Sequence, residues 1–291
     1  MLKIALITNF NISEKANAAM KVADRLLRED CEVLIAAFNR EKIARMGRDR
    51  EELRYLPLEA VYSEADILIV LGGDGSILEA ARRAVHRATP ILGINLGRLG
   101  YMAELELSEL DMLGKLFEKD YYLEKRSMLR VELYSGNELK SFSYALNDAV
   151  ISNGSVSRIV DLELYENGMP VTTYRADGLI IATPTGSTAY SMSAGGAIVA
   201  PDVPCVCVTP ICPHSLSARP LIFGEKSVLE VRNTCVREKM LYLTVDGRMN
   251  FELYRNQRVR VTKSKMETNL IRLKPSSFYN KLRQKMGNSY S

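Results

Sequence analysis

The chain has 291 residues, 47% hydrophobic and 25% charged, and its 39 basic and 35 acidic side chains give a formal net charge of +4. That length buries a substantial core and allows one large domain or two ordinary ones, and the composition excludes a disordered or collagen-like chain. The basic residues are scattered and do not alternate with aromatic ones, which points away from a nucleic-acid partner. Five cysteines, Cys31, Cys205, Cys207, Cys212 and Cys235, are odd in number and unevenly spaced, unlike a disulfide framework. Cys205 and Cys207 fall on an alternating apolar run and are expected to share one strand face as small hydrophobes. Neither histidine, His86 or His214, stands at zinc spacing from a cysteine, so no metal centre of protein ligands is expected. The first seven residues form a short β-like run without a leader pattern, and no stretch reaches membrane-spanning length. The expected location is cytoplasmic, without a membrane partner.

Residues 3–9 read as a strand, and residues 16–29 as a helix with Ala19, Val22, Ala23, Leu26 and Leu27 on one side. Residues 31–37 read as a second strand, and the charged stretch 40–53 is ambiguous. Residues 66–71 form a third strand, 90–95 a fourth, and 108–119 a further helix. Strands alternating with helices imply a Rossmann-like parallel α/β domain, whose ligands sit beyond the carboxyl ends of the strands. After about Tyr121 the texture changes to short alternating runs, at 130–134, 141–151, 159–165, 169–174, 179–182, 227–232, 241–245 and 258–261. Turn signals separate them, as expected of an all-β, β-sandwich-type domain. Residues 278–286 are amphipathic and helical, and this C-terminal helix is expected to pack back on the first domain. The expected division is 1–122 with 272–291 for the α/β domain, and 123–271 for the β-rich domain.

The most informative segment runs from Ile67 to Ser76, where five apolar residues lead into Gly72-Gly73-Asp74-Gly75-Ser76 and a helical pattern follows. Glycines let the backbone take unusual dihedrals and let a bulky ligand approach. Free N–H groups at the helix start suit a phosphate, which nominates Gly72, Gly73, Gly75 and Ser76 as phosphate-binding. A carboxylate among those amides opposes a bare phosphate unless a hydroxyl or a metal ion lies between. Asp74 is therefore read as acting on an acceptor hydroxyl or on Mg²⁺ in phosphoryl transfer.

Two further clusters stand out. Arg175 and Asp177 precede a buried strand, 179–182, that opens into Thr183-Pro184-Thr185-Gly186-Ser187-Thr188. Hydroxyls and free amides there suit ribose and base edges, or a phosphate. Asn147-Asp148 interrupts the apolar run 143–151, either as a bulge or as a pair reading two vicinal hydroxyls. His214 lies in a proline-rich turn and is read as fixing that loop.

In their order along nearly the whole chain, these residues resemble the NAD kinase family. The resemblance is carried by Gly72-Gly73-Asp74-Gly75-Ser76, by Gly93-Ile94-Asn95-Leu96-Gly97-Arg98-Leu99-Gly100-Tyr101, and by Asn147-Asp148. The segment from Asp177-Gly178 to Gly196 and the run Pro213-His214-Ser215-Leu216-Ser217-Ala218-Arg219-Pro220 complete it. It implies transfer of the γ-phosphoryl group of ATP, or of polyphosphate, to the 2′-hydroxyl of the adenosine ribose of NAD, with Mg²⁺ accompanying the donor. It implies Asp74 as general base or hydroxyl-orienting residue, and Asn147 and Asp148 at the adenosine half of NAD, with Gly75, Arg175 and Thr185 also among the NAD-binding residues. It places Asp177 near the nicotinamide end, often across a subunit contact. Thr188, Ala189, Tyr190 and Ser193 would line the adenine pocket, and Asp246 would add a polar contact from a late strand. It implies a homodimer or homotetramer.

The chain departs from the family pattern at Ser76, Asp148 and Arg248, where relatives often carry Thr, Glu and Gln, and it has no Gly-x-x-x-x-Gly-Lys-Ser/Thr loop. The first loop alone is shared with lipid and sugar kinases, so a kinase of that kind is one alternative. A non-catalytic nucleotide sensor is another, although sensors tend to lose the reacting carboxylate that Asp74 supplies.

Overall fold

The computed structural model describes residues 1–97, 100–154, 159–215, 217–235, 240–275 and 277–287. Arg98 and Leu99 of the second glycine turn, and Leu216 of the 213–220 run, lie outside the described residues. The chain divides into two compact units, one formed by Met1–Lys125 with Thr268–Ser291, the other by Arg126–Glu267. Both divisions fall within long strands, Tyr122–Ser135 and Gln257–Arg272.

The first unit carries β1 (Leu2–Ile7), β2 (Cys31–Ala36), β3 (Leu53–Leu56), β4 (Ile67–Leu71), β5 (Ile91–Asn95) and the short β6 (Leu105–Glu106). Its helices are α1 (Ser13–Leu26), α2 (Arg40–Arg45), α3 (Leu58–Glu64), α4 (Asp74–Ala84) and α5 (Lys115–Glu118). The strands lie parallel in the order β3-β2-β1-β4-β5. Every residue of β4 and β5 is buried, as continuous apolar runs of a doubly covered parallel sheet must be. Strand order reverses between β1 and β4, and such a switch point opens a crevice at the carboxyl ends of the strands. The Gly72-Gly73 turn leaves β4 at that point. The stretch 108–119, expected as one helix, lies in a 3₁₀ segment, Leu107–Gly114, kinked at Glu109 by non-helical dihedrals, followed by α5.

The second unit holds β7 (Tyr122–Ser135), β8 (Glu138–Ala145), β9 (Asp148–Ser152), β10 (Val160–Glu166), β11 (Met169–Ala176), β12 (Gly178–Ala182) and the short α6 (Tyr190–Ser193). They are followed by β13 (Cys205–Ile211), β14 (Leu221–Gly224), β15 (Leu229–Asn233), β16 (Met240–Val245), β17 (Met249–Tyr254) and β18 (Gln257–Arg272). One sheet runs β11-β10-β15-β18 with β7 and β8 beyond; the other runs β14-β13-β12-β9-β16-β17. Leu129, Val131, Leu162 and Val231 of the first meet Ile151, Ile181, Val208 and Leu243 of the second in one apolar core. Cys205 and Cys207 share a face with Val150, Ile180 and Ala182. The strand expected across 143–151 is two strands. β8 ends at Ala145 in the first sheet and β9 begins at Asp148 in the second, so Leu146-Asn147 is the crossing between sheets and not a bulge.

The end of β18 returns to the first unit, with Leu270 opposite Ile91 of β5. The C-terminal helix α7 (Phe278–Gly287) then packs on the first unit, as expected from its amphipathic pattern: Lys281 Nζ donates to the Ala103 carbonyl at 2.8 Å and the Phe278 ring lies 6.4 Å from that of Tyr101. Beneath it Arg272, 2% exposed, donates to the Met102 carbonyl at 2.8 Å, to Glu104 at 3.1 Å and to Glu124. The fully enclosed Glu104 carboxylate also accepts the amides of Leu273 at 3.0 Å and Lys274 at 3.2 Å. Removing one partner of such a pair leaves an uncompensated buried charge. Arg272→Met should lower the unfolding free energy by about 3–5 kcal/mol in a urea titration, whereas a loss below ~1 kcal/mol would show the pair to be replaceable.

Candidate functional site

In the first unit, Leu71 ends β4 and Gly72 turns the chain with φ +153°, where a Cβ would overlap the Ser76 side chain. The Gly72 amide donates to the Ile94 carbonyl at 2.9 Å, and the Thr8 hydroxyl donates to the Leu71 carbonyl at 2.9 Å, so the loop is tied to β5 and β1. Asp74 is the first residue of α4, with Gly73 before it, and Gly73 and Gly75 are exposed at the helix start. The dipole of a helix N-terminus favours a carboxylate there.

Two amides fix the Asp74 side chain. Its oxygens accept from Tyr101 N at 2.9 Å and from Met102 N at 3.1 Å. Gly100 makes the seat possible, since a Cβ there would overlap the carboxylate. Gly93 likewise lets the Ala103 backbone and Ile77 come close. Asn95 Nδ2 donates to the Gly97 carbonyl at 2.7 Å and holds the start of the second glycine turn. The two glycine turns therefore line one place, and among the described residues no Lys or Arg pairs with Asp74. The Tyr101 hydroxyl is held above its ordinary pKa by burial and by the Asp74 charge.

In the second unit, Asn147-Asp148 sits where the chain crosses between sheets. Asp246 builds the crossing: it lies on the turn between β16 and β17, in the left-handed region with φ +49°. Its carboxylate accepts the amides of Leu146 at 2.8 Å, Asn147 at 2.8 Å and Asp148 at 3.0 Å. The expectation placed Asp246 on a late strand; the structure places it on a turn with its oxygens engaged by backbone. Burial holds the Asp246 carboxyl above its ordinary pKa while those three amides pull it down. Asp148, 5% exposed, is pushed up to about 7, first by burial and then by the Asp246 charge.

The hydroxyl-rich segment packs around the same crossing. Thr183 N donates to the Asn147 carbonyl at 2.8 Å, and Thr183 Oγ1 donates to the Leu146 carbonyl at 2.6 Å and accepts from Gly186 N. A Cβ at Gly186 would overlap the Asn147 carbonyl. Thr185 Oγ1 accepts from Arg126 at 3.2 Å, and the Thr188 hydroxyl donates to the Thr185 carbonyl. Thr185 and Thr188 are buried, Ala189 is partly buried, and Tyr190 and Ser193 are exposed. Arg126 and Leu146 escaped the sequence reading because their parts are played through tertiary hydrogen bonds.

Arg175, exposed, and Asp177, partly buried, are not beside Asn147-Asp148. β12 pairs Gly178 with Ser152 and Ala182 with Asp148, so Asp177, next to Gly178, lies at the opposite end of the strand from Asp148, roughly 16 Å away at about 3.3 Å per residue, while Arg175 lies on β11. His214 is exposed, and its backbone amide donates to the Arg175 carbonyl at 2.9 Å.

The raised Asp148 has a sign. Folded protein binds its proton up to about pH 7, whereas the unfolded chain releases it near 3.8, so this group's contribution to stability falls between those values and stays lost above 7. Asp148→Asn should therefore gain stability relative to the parent at pH 8 and lose that advantage at pH 4, measured by urea unfolding. An advantage independent of pH would remove Asp148 as its source.

The chain matches the family model of the ATP-NAD kinase N-terminal domain over residues 4–122 and that of the C-terminal domain over 146–273. It is 38% identical over 288 residues to the NAD kinase of Caldanaerobacter subterraneus, covering 98% of this chain and 99% of that one. It is 41% identical over 262 residues to that of Carboxydothermus hydrogenoformans, covering 84% and 93%. Among solved structures, yeast NADH kinase complexed with NADH superposes with a TM-score of 0.90 at 26% identity, over 100% of this chain and 89% of that one. With both family models matched along one chain, this protein belongs to the NAD kinase family.

Proposed function

We propose that this protein transfers the γ-phosphoryl group of ATP to the 2′-hydroxyl of the adenosine ribose of NAD, giving NADP. The observation that carries the reading is the Asp74 carboxylate, seated on the Tyr101 and Met102 amides at the start of α4, at the switch point of the parallel sheet. One lone pair of each oxygen is occupied by an amide, and the others remain to accept a hydroxyl proton. In this reading the 2′-hydroxyl donates to Asp74. Its oxygen bonds to the γ-phosphorus, the bond from that phosphorus to the β–γ bridging oxygen breaks, and ADP leaves with the electron pair. Phosphoryl transfer asks the protein chiefly for positioning and charge neutralisation.

The amides of Gly73 and Gly75 and the Ser76 hydroxyl hold phosphate, and the turn at Gly72 lets it approach. Among the described residues no group of three His, Cys, Asp or Glu side chains surrounds a cation site. That donor set fits Mg²⁺ carried on ATP with at most one carboxylate, Asp74, beside it; when bound, the ion screens the phosphate charge. Asn147 and Asp148 bind the adenosine ribose, and Thr185, Thr188, Ala189, Tyr190 and Ser193 surround adenine. Asp177, just before β12 at the end far from Asp148, suits the nicotinamide half of an extended dinucleotide, and Arg175 at the end of β11 adds a charge for NAD. Asp246 acts through the backbone it holds.

We assign the protein to the cytosol, where ATP and NAD are available and where its five free cysteines remain reduced. It works as a homodimer or homotetramer; Met169 and Val171 on β11 and Ile222 on β14, both edge strands, are exposed apolar residues suited to such a surface.

A coupled assay with NAD, ATP and Mg²⁺ should yield NADP. Asp74→Asn should keep NAD affinity within a few-fold while turnover falls by roughly 10²-fold or more, and unchanged turnover would remove Asp74 from its role. Gly100→Ala should fold and bind NAD but lose about 10-fold or more in kcat, because the new methyl group displaces the carboxylate. An undiminished kcat there would show that the seat is not needed.

A further inference from the structure

We infer that Arg272, Glu104 and Lys281 are positioning residues that hold the seat of Asp74. The inference rests on the role of Asp74 proposed above. Asp74 is aligned only as well as the Tyr101 and Met102 amides that grip it, and those amides belong to a segment, residues 100–104, with almost no secondary structure of its own. Something else must fix that segment.

The structure shows what does. The Met102 carbonyl, two bonds along the chain from the amide that grips Asp74, accepts from Arg272 Nη1 at 2.8 Å. The next carbonyl, Ala103, accepts from Lys281 Nζ at 2.8 Å. The residue after that, Glu104, donates its amide to the Gly93 carbonyl at 2.8 Å and receives Arg272 on its carboxylate at 3.1 Å. Lys281 Nζ also stands 3.8 Å from that carboxylate. Tyr101 itself carries the Lys285 ammonium 3.9 Å from its ring centroid and packs against Phe278.

Three successive residues of the segment are thus bound by two cations and one strand. Both cations come from the last part of the chain, Arg272 from the end of β18 and Lys281 from α7. A buried guanidinium and carboxylate with their other hydrogen-bonding groups satisfied make a rigid anchor, and a displacement of even 1 Å at a reacting group can cost about 10²-fold in rate. The C-terminal helix therefore has work in catalysis although none of its residues touches the site.

The test compares the full-length protein with Lys281→Met, Lys281→Arg, Arg272→Lys and Lys274→Met. Lys274 pairs its side chain with Glu109 in the same region and grips no carbonyl of the 100–104 segment, which makes it the control for a purely structural loss. Steady-state kinetics, NAD affinity by calorimetry and urea midpoints are read for each. Lys281→Met should lower kcat about 10-fold while KM for NAD and ATP and the NAD affinity stay within twofold, and Lys281→Arg should restore most of kcat. Lys274→Met should shift only the urea midpoint. Arg272→Lys, where it folds, should lower kcat further than Lys281→Met at unchanged KM. A Lys281→Met enzyme with parental kcat, or one that changes only in KM, overturns the inference whatever Arg272→Lys does. If Asp74→Asn itself retains turnover, the proposed role of Asp74 fails, and that result is separable from these.

Discussion

A carboxylate packed against protein keeps part of itself free only when the donors that grip it leave lone pairs unoccupied, and in the first unit Asp74 is held in that way. Backbone amides do this without introducing an opposing charge. Two of them, from Tyr101 and Met102, reach the side chain because Gly100 leaves room. The same requirement explains why two glycine turns stand at the ends of adjacent strands: one presents the carboxylate, the other presents the amides. A salt-bridging cation would have held Asp74 as firmly but would have weakened it as a proton acceptor.

The second unit uses the same device for a different end. Asp246 draws in three successive amides, and by doing so turns the chain from one sheet into the other at Leu146-Asn147. The turn brings Asp148 close enough to Asp246 that burial and the neighbouring charge act together on its proton affinity. Thr183 completes the crossing by occupying its carbonyls, and Gly186 by leaving space for them. Most hydroxyls in the segment after β12 are thus engaged in shaping the loop, and the side chains with exposed area, Tyr190 and Ser193, follow once that shape is set. This division of labour accounts for the density of small polar residues there better than direct ligand contact by every one of them.

Much was legible from the sequence by itself, and for identifiable reasons. The apolar runs of β4 and β5 have no polar face because both faces are covered, and the alternating runs after Tyr121 mark sheets with one wet face. Gly72, Gly73, Asp74, Gly75 and Ser76 announced a site because backbone freedom and a lone carboxylate so placed make little sense in an ordinary turn. Asn147-Asp148 announced itself by breaking an apolar run.

What the tertiary structure decided was everything that depends on a partner distant in sequence. Asp246 lies about a hundred residues from the amides it binds, and no local pattern links a turn aspartate to a crossing between sheets. The break between β8 and β9 was hidden because the crossing occupies only Leu146 and Asn147, with no turn residues between the two strands. Arg272 reads in the sequence as an ordinary surface base at the end of a strand, yet it is among the most buried side chains, because Glu104, Glu124 and the Met102 carbonyl converge on it. Composition and periodicity determine which elements form and which faces they bury; which carboxylate meets which amide is fixed only when the chain closes on itself, since a hydrogen bond is specified by position in space and not by spacing along the chain.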